Sequence, residues 1–296
     1  VALLWAGATV AASAFQVGRN ALQRGMMSRT GPWGATLTRF LFGLPFSLAF
    51  TAVAVWLSRD LHPQFGWGFW WPALAGAMTQ VLATAALLMA MHYSGFAIGT
   101  ALQQSALPLA AIIGLLVFRD NLSLLEWGGV ALTTMGLAVL VWPAPGTAGR
   151  QPFAGAALGM ISGLCFGFSL NAFRHAGLHL EPRHPFFAAT AAVAIVQAVQ
   201  AAGLTLYLLV RDRAALVAVI RGWRESLGAG FCGAVASSAW FLALNLAPAV
   251  AVRSLGLVEM PMAAFAGHRL FRERLSLRQI AGIVTVVIGV VLTARY

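Results

Sequence analysis

The chain has 296 residues, 60% of them hydrophobic and only 9% charged, against about 25% charged in an ordinary soluble domain. That excludes a soluble globular fold and describes a polytopic membrane protein, with no polar block long enough for an attached soluble domain. The net charge of +11 comes from arginine alone, scattered among short connections as membrane topology requires, so nucleic acid is not the expected partner.

Ten apolar runs reach spanning length, and all read as helices rather than alternating barrel strands. The first five cover about 2–22, 32–57, 69–91, 96–118 and 124–141. Pro32 opens the second, a favoured helix-start position. The Pro/Gly-rich stretch from Trp142 to Pro152 stops the fifth. The remaining runs cover about 153–173, 185–210, 227–246, 249–271 and 277–294. Trp33, Trp56, Trp67, Trp70, Trp71, Trp127, Trp142 and Trp223 fall near run ends and read as interfacial anchors. Cys165 and Cys232 lie inside runs, far from any second thiol in sequence, and read as packing residues.

The chain repeats itself. Phe118-Arg119-Asp120-Asn121-Leu122-Ser123-Leu124 matches Phe271-Arg272-Glu273-Arg274-Leu275-Ser276-Leu277 at an offset of 153 residues. The same offset pairs Gly129 with Gly282, Gly136 with Gly289, Pro108 with Pro261, Pro32 with Pro185 and Phe15 with Phe168. The expected architecture is all-α: residues 1–143 and 153–296 as two five-helix repeats, joined by a connector at 144–152. Five is odd, so the second repeat enters the membrane from the opposite side. Inverted repeats around a central cavity are the architecture of many secondary transporters, with paired helix breaks pointing to the substrate site. Pro108 and Pro261 are such a pair.

Glu259 falls near the middle of run 249–271 and is the only acid deep inside any run. A charge at that depth costs roughly 2.5–3.5 kcal/mol on insertion scales, so it is turned inward, paired or neutral. Arg253 and Ser254 share its run. Gln16, Arg19 and Asn20 lie on one face of the first run, and Arg39 lies in the second. Gln80 and Thr84 lie in the third, and Gln103 in the fourth. Ser169 and Asn171 lie in the sixth, and Ser237 in the eighth with Trp240 one turn on. Lipid-facing polar groups are costly, so these should line the interior. Gln16, Asn20, Gln80, Thr84, Gln103, Ser169, Ser237 and Trp240 are the candidate cavity lining; Glu259, Arg39 and Arg253 are candidate gating or coupling residues. The plainer alternative for each is an interhelical hydrogen bond or, for Arg19 and Arg39, snorkelling to headgroups.

No catalytic, nucleotide-binding or metal-binding motif is present, and no cofactor is expected. His175 and His179 have helical spacing but no matched acid. An intramembrane enzyme using Glu259 and a histidine, or a non-transporting scaffold, are the competing readings.

Ten helices in two repeats, with Thr38-Arg39-Phe40 in the second, Trp5 in the first and an acidic Phe-Arg-Asp or Phe-Arg-Glu block after each fourth helix, resemble the EamA branch of the drug/metabolite transporter superfamily. The resemblance spans essentially the whole chain. It implies secondary transport, often export, of small metabolites, with neutral and aromatic amino acids leading and nucleosides, sugars and cationic drugs open. It further implies a multi-pass protein of a bacterial inner membrane with both termini cytoplasmic. The arginine count pulls the other way: Arg24, Arg29, Arg150, Arg211, Arg213, Arg221, Arg224, Arg269, Arg272, Arg274 and Arg278 would then lie outside. A two-repeat bundle closes its own cavity, so a monomer is expected, with the lipid bilayer and a small-molecule substrate as partners.

Overall fold

The computed structural model describes residues 2–58, 60–105, 123–141, 152–247, 252 and 255–293; these are mostly helical, joined by short loops and turns, with no strand among them. The helices are α1 (Ala2–Leu41), α2 (Leu44–Leu57), α3 (Trp67–Ser94), α4 (Phe96–Leu102, continued by a 3-10 turn at Gln103–Ser105), α5 (Leu124–Val141) and α6 (Pro152–Leu180), followed by α7 (Pro185–Arg211), α8 (Arg213–Arg221), α9 (Trp223–Leu246), α10 (Glu259–Phe271) and α11 (Leu277–Thr293). Among the described residues, five stretches are long and apolar enough to cross a membrane: Leu3–Leu57, Trp67–Ser94, Phe153–Leu180, Pro185–Arg211 and Trp223–Leu246. Trp127–Leu140 and Leu277–Leu292 are shorter apolar helices.

Leu3–Leu57 is not one rod. Gly31 has φ 64° and ψ 177°, a conformation open in practice only to glycine, and Pro32 restarts the helix with its ring already at a helical φ. The chain folds back there: Gln23 Nε2 donates to the Ala35 carbonyl at 2.6 Å, a contact that a straight helix would stretch to about 18 Å. The first two sequence runs are thus antiparallel neighbours.

The chain forms two compact units, Val1–Val81 with Phe168–Glu259, and Leu82–Gly167 with Met260–Tyr296. Each unit draws on both halves of the sequence. In the first, α1 lies along α9, where a Cβ added to Gly18 would stand 3.8 Å from Cys232 Sγ. Nearby, Phe173 of α6 covers Gly76 of α3 and packs on Phe241 at 4.6 Å between ring centroids. Gly230 meets the turn at Phe42 and Gly43, where only hydrogen fits. Arg174 caps α9, donating to the carbonyls of Leu244 and of Ala247 (2.6 Å), so basic charge meets the negative helix end.

In the second unit, α5 packs on α11 through glycines. A Cβ on Gly136 would meet the Gly282 carbonyl and Val286, and one on Gly289 would meet Thr133 and the Gly129 carbonyl. The contacts run antiparallel. The repeat offset converts the Gly136–Val286 contact into the Gly289–Thr133 contact, so this pair of related helices meets around a local pseudo-twofold. Glu273 supplies a second link between sequence halves. Its carboxylate accepts from the backbone N–H of Phe96 (2.8 and 3.0 Å) and of Ala97 (3.4 Å), capping α4, while Phe271 stacks on Phe96.

Two local features were not read from the sequence. The connection after the seventh run is not a plain loop: it holds the amphipathic helix α8, whose Ala215, Leu216 and Val219 pack inward. The break near Glu259 comes before it, at a turn through Leu257 and Val258. Pro261 sits in the first turn of α10, where its missing N–H costs nothing. It stands just after a break in the helix, at the start of α10. Pro108, its proposed counterpart, lies outside the described residues.

Candidate functional site

The first unit contains a buried polar row on α1. Thr9, Ser13, Gln16, Asn20 and Gln23 recur at alternating spacings of four and three residues, and none is more than 6% exposed. That spacing keeps them on one face for about 21 Å of helix. Small residues of α9 let the two backbones approach and leave this face room for its side chains.

Gln16 is the centre of the row. Its Nε2 donates to Oε2 of Glu259 at 2.8 Å, and its Oε1 accepts from the Trp240 indole N–H at 3.0 Å. Both partners are buried, Glu259 at 2% and Trp240 at 5% exposure. One amide therefore holds the acid at the start of α10 and the indole of α9 in a fixed relation. Gly256 completes the arrangement: a side chain there would strike the outer edge of the Trp240 ring at 2.6 Å. Trp240 in turn packs with Ala12, Leu170, Leu244 and Val252.

One turn along α1, Arg19 donates through Nε (3.1 Å) and a terminal nitrogen (2.7 Å) to Asn20 Oδ1. Arg39 donates to Ser237 Oγ at 3.2 Å and lies over the Phe40 ring, 4.7 Å from its centroid. Each arginine is only 1% exposed, so neither snorkels to a surface. Arg19 interacts electrostatically with Glu259 and with Arg39. The structure thus gathers two cations, one acid, an amide, a hydroxyl and an indole in one buried region. Chemically, this offers anion binding by guanidinium, cation binding by carboxylate and an aromatic face.

Gln80 forms a separate polar contact. Gln200 of α7 donates to Gln80 Oε1 at 2.9 Å and to the Ala77 carbonyl at 3.0 Å. Gln197, on the same helix, accepts from Ser47 at 2.6 Å. Ser169 is fully buried in this unit. Thr84, Gln103 and Pro261 belong to the other unit, where Thr84 and Gln103 are buried and Pro261 is exposed. Arg253 lies outside the described residues. Cys165 and Cys232 are free and partly exposed, and no metal-binding cluster occurs among the described residues.

Sequence reasoning passed over Thr9, Ser13, Gln23, Gln197 and Gln200. The heptad-like spacing of the α1 residues was the available signal. Nothing in the sequence pointed to Gln200 as the partner of Gln80. An apolar groove of about 620 Å³ also runs beside α9 in this unit, lined by Leu3, Phe50, Phe186, Phe231 and Leu242 among others.

Comparison with known proteins agrees with this architecture. No curated protein matches the chain. A crystal structure of a protein 16% identical covers 97% of this chain and 96% of its own, with a TM-score of 0.60, which shows a shared fold. The model of the EamA-like transporter family matches twice, over residues 1–142 and 153–295. Two matches in tandem, over helices whose related pair meets in antiparallel contact, account for nearly the whole length. The chain belongs to the EamA-like transporter family and is a multi-pass membrane transporter of the drug/metabolite type.

Proposed function

We propose that this transporter exports small amphipathic metabolites, neutral and aromatic amino acids first among them, from the cytoplasm across a bacterial inner membrane. It crosses the bilayer ten times, works as a monomer and needs no cofactor. Its inverted repeats alternate access to the two sides. The observation that carries the substrate class is the buried group of Arg19, Arg39, Glu259 and Trp240 around Gln16. A zwitterion needs a cation for its carboxylate, an acid for its ammonium and an apolar face for its side chain, and these residues supply all three. Nucleosides and sugars would use the amides and hydroxyls but leave the charges without a task.

Uptake by purified protein in liposomes tests this. A panel of labelled amino acids, a nucleoside, a sugar and a quaternary amine is offered with and without a pH gradient. Saturable uptake of neutral or aromatic amino acids is expected, with the pH-gradient response lost in Glu259→Gln. Transport of the nucleoside or sugar alone would overturn the amino-acid assignment.

Both termini are assigned to the cytoplasm, following the family resemblance. The opposite orientation is the second reading, favoured by the arginines around the Gly31 turn and α8. Labelling of a cysteine introduced at Ala214 distinguishes them. Reaction with an impermeant reagent from outside the cell supports cytoplasmic termini, and reaction only after permeabilisation supports the reverse.

A further inference from the structure

The connection between α7 and α9 does more than join them. It folds into the nine-residue amphipathic helix α8, capped at its start by Asp212, whose carboxylate accepts from the Ala215 N–H at 2.9 Å. Between α8, the end of α1's first segment and the start of α9 is a cleft of about 580 Å³. Its polar lining is Arg29, Thr30, Arg213, Arg221 and Glu225; Met26, Ala214, Val217 and Ala218 form the apolar wall. Glu225 is engaged by Arg29 in an exposed ion pair. Arg213 is steadied by its Nε bond to the Leu209 carbonyl at 2.9 Å. The cleft therefore has three guanidiniums against one carboxylate, and that carboxylate is already matched.

Its surroundings are those of a membrane–water boundary. Trp33 packs against Tyr207 at 5.6 Å between centroids, and Trp223 is half exposed beneath the Arg224 guanidinium. Val217 of the cleft wall is 44% exposed, and Ile220 on the same helix (54%) and Val210 near the end of α7 (72%) are bare as well. A cationic cleft edged by exposed aliphatic side chains at an aromatic belt matches a molecule with a phosphate at one end and hydrocarbon at the other.

We propose that this cleft binds the headgroup of an anionic phospholipid, with Arg213 and Arg221 holding the phosphate and its acyl chains lying along Val217 and Ile220. A free phosphate ion would use the same arginines but would gain nothing from the aliphatic edge. The bound lipid would tie α8 to α1 and α9 and hold that end of the first unit at the bilayer surface.

Native mass spectrometry of the full-length protein, offered phosphatidylglycerol and phosphatidylcholine, tests the assignment. The wild type should retain phosphatidylglycerol preferentially. In Arg213→Gln/Arg221→Gln that preference should fall about 30-fold, the contribution of two arginines near an anionic surface. Phosphatidylcholine adducts and the melting temperature should not change. Arg213→Lys/Arg221→Lys should keep most of the preference. Equal retention of both lipids by the wild type, or an undiminished preference in the glutamine variant, would overturn the proposal. Complete displacement of phosphatidylglycerol by inorganic phosphate would assign the cleft to the free ion instead.

Discussion

Arg19 and Arg39 close on the same glycine: a Cβ on Gly233 would stand 3.4 Å from Cδ of Arg19 and 3.3 Å from Cβ of Arg39. The missing side chain at that position leaves room for two buried arginine side chains on one face of α9. Arg39 Cβ is fixed to its own backbone, so a larger residue must push the helices apart. Gly233→Leu should cost about 1–3 kcal/mol through overpacking and lower transport at least about tenfold. Gly25→Ala, where nothing lies within 4 Å, is the control. Thermal unfolding in detergent and liposome uptake read the two effects.

Gln16 bridges Glu259 and Trp240, its amide donating to the one and accepting from the other. Gln16→Leu keeps the bulk but leaves a buried carboxylate oxygen and an indole N–H without this partner. The expected loss is about 1–3 kcal/mol per stranded group. A double-mutant cycle with Trp240→Phe should give a coupling of about 0.6–1.7 kcal/mol, the range of hydrogen bonds between membrane helices. A coupling near zero would mean that the indole bond contributes nothing.

The Phe-Arg-Glu block after α10 has a structural task at α4. Glu273→Ala should remove about 1 kcal/mol of cap stabilisation. The backbone N–H groups of Phe96 and Ala97 lose their acceptor and should exchange hydrogen about fivefold faster. Exchange unchanged at those two amides would show that the carboxylate does not hold the helix start. Gly95→Ala should be at least as damaging, because Gly95 has φ 99° and its added Cβ would stand 3.2 Å from Glu273 Oε1.

Gly136 and Gly289 are equivalent under the repeat and sit in equivalent surroundings, each pressed against the opposing helix. Gly136→Ala and Gly289→Ala should therefore destabilise by similar amounts, about 1–3 kcal/mol each. Unfolding measurements that separate them by more than about 1.5 kcal/mol would argue against the local pseudo-twofold.

Much of the fold was legible because hydrophobicity and glycine act locally. Apolar runs of spanning length need no partner to be recognised. The offset that pairs Gly129 with Gly282 and Gly136 with Gly289 is a property of the string of residues. The site was less legible. Gln16, Arg39, Trp240 and Glu259 could be named as buried polar groups, because polar residues in apolar helices are rare. Their partners could not. Gln16 meets residues 224 and 243 positions away, distances along the chain that no local pattern encodes. Helix α8 was missed because its arginines resemble loop charge when its inward face of Ala215, Leu216 and Val219 is unknown.

By itself, the sequence determined that the chain lives in a membrane, that it is helical and that it is duplicated. Those properties follow from the cost of exposing backbone and charge to lipid, which every residue pays where it stands. Only the tertiary structure decided that Arg19 and Arg39 flank one glycine, that Glu259 begins a helix, and that one amide ties it to Trp240. Such relations depend on which helix faces meet, and packing between distant segments sets that.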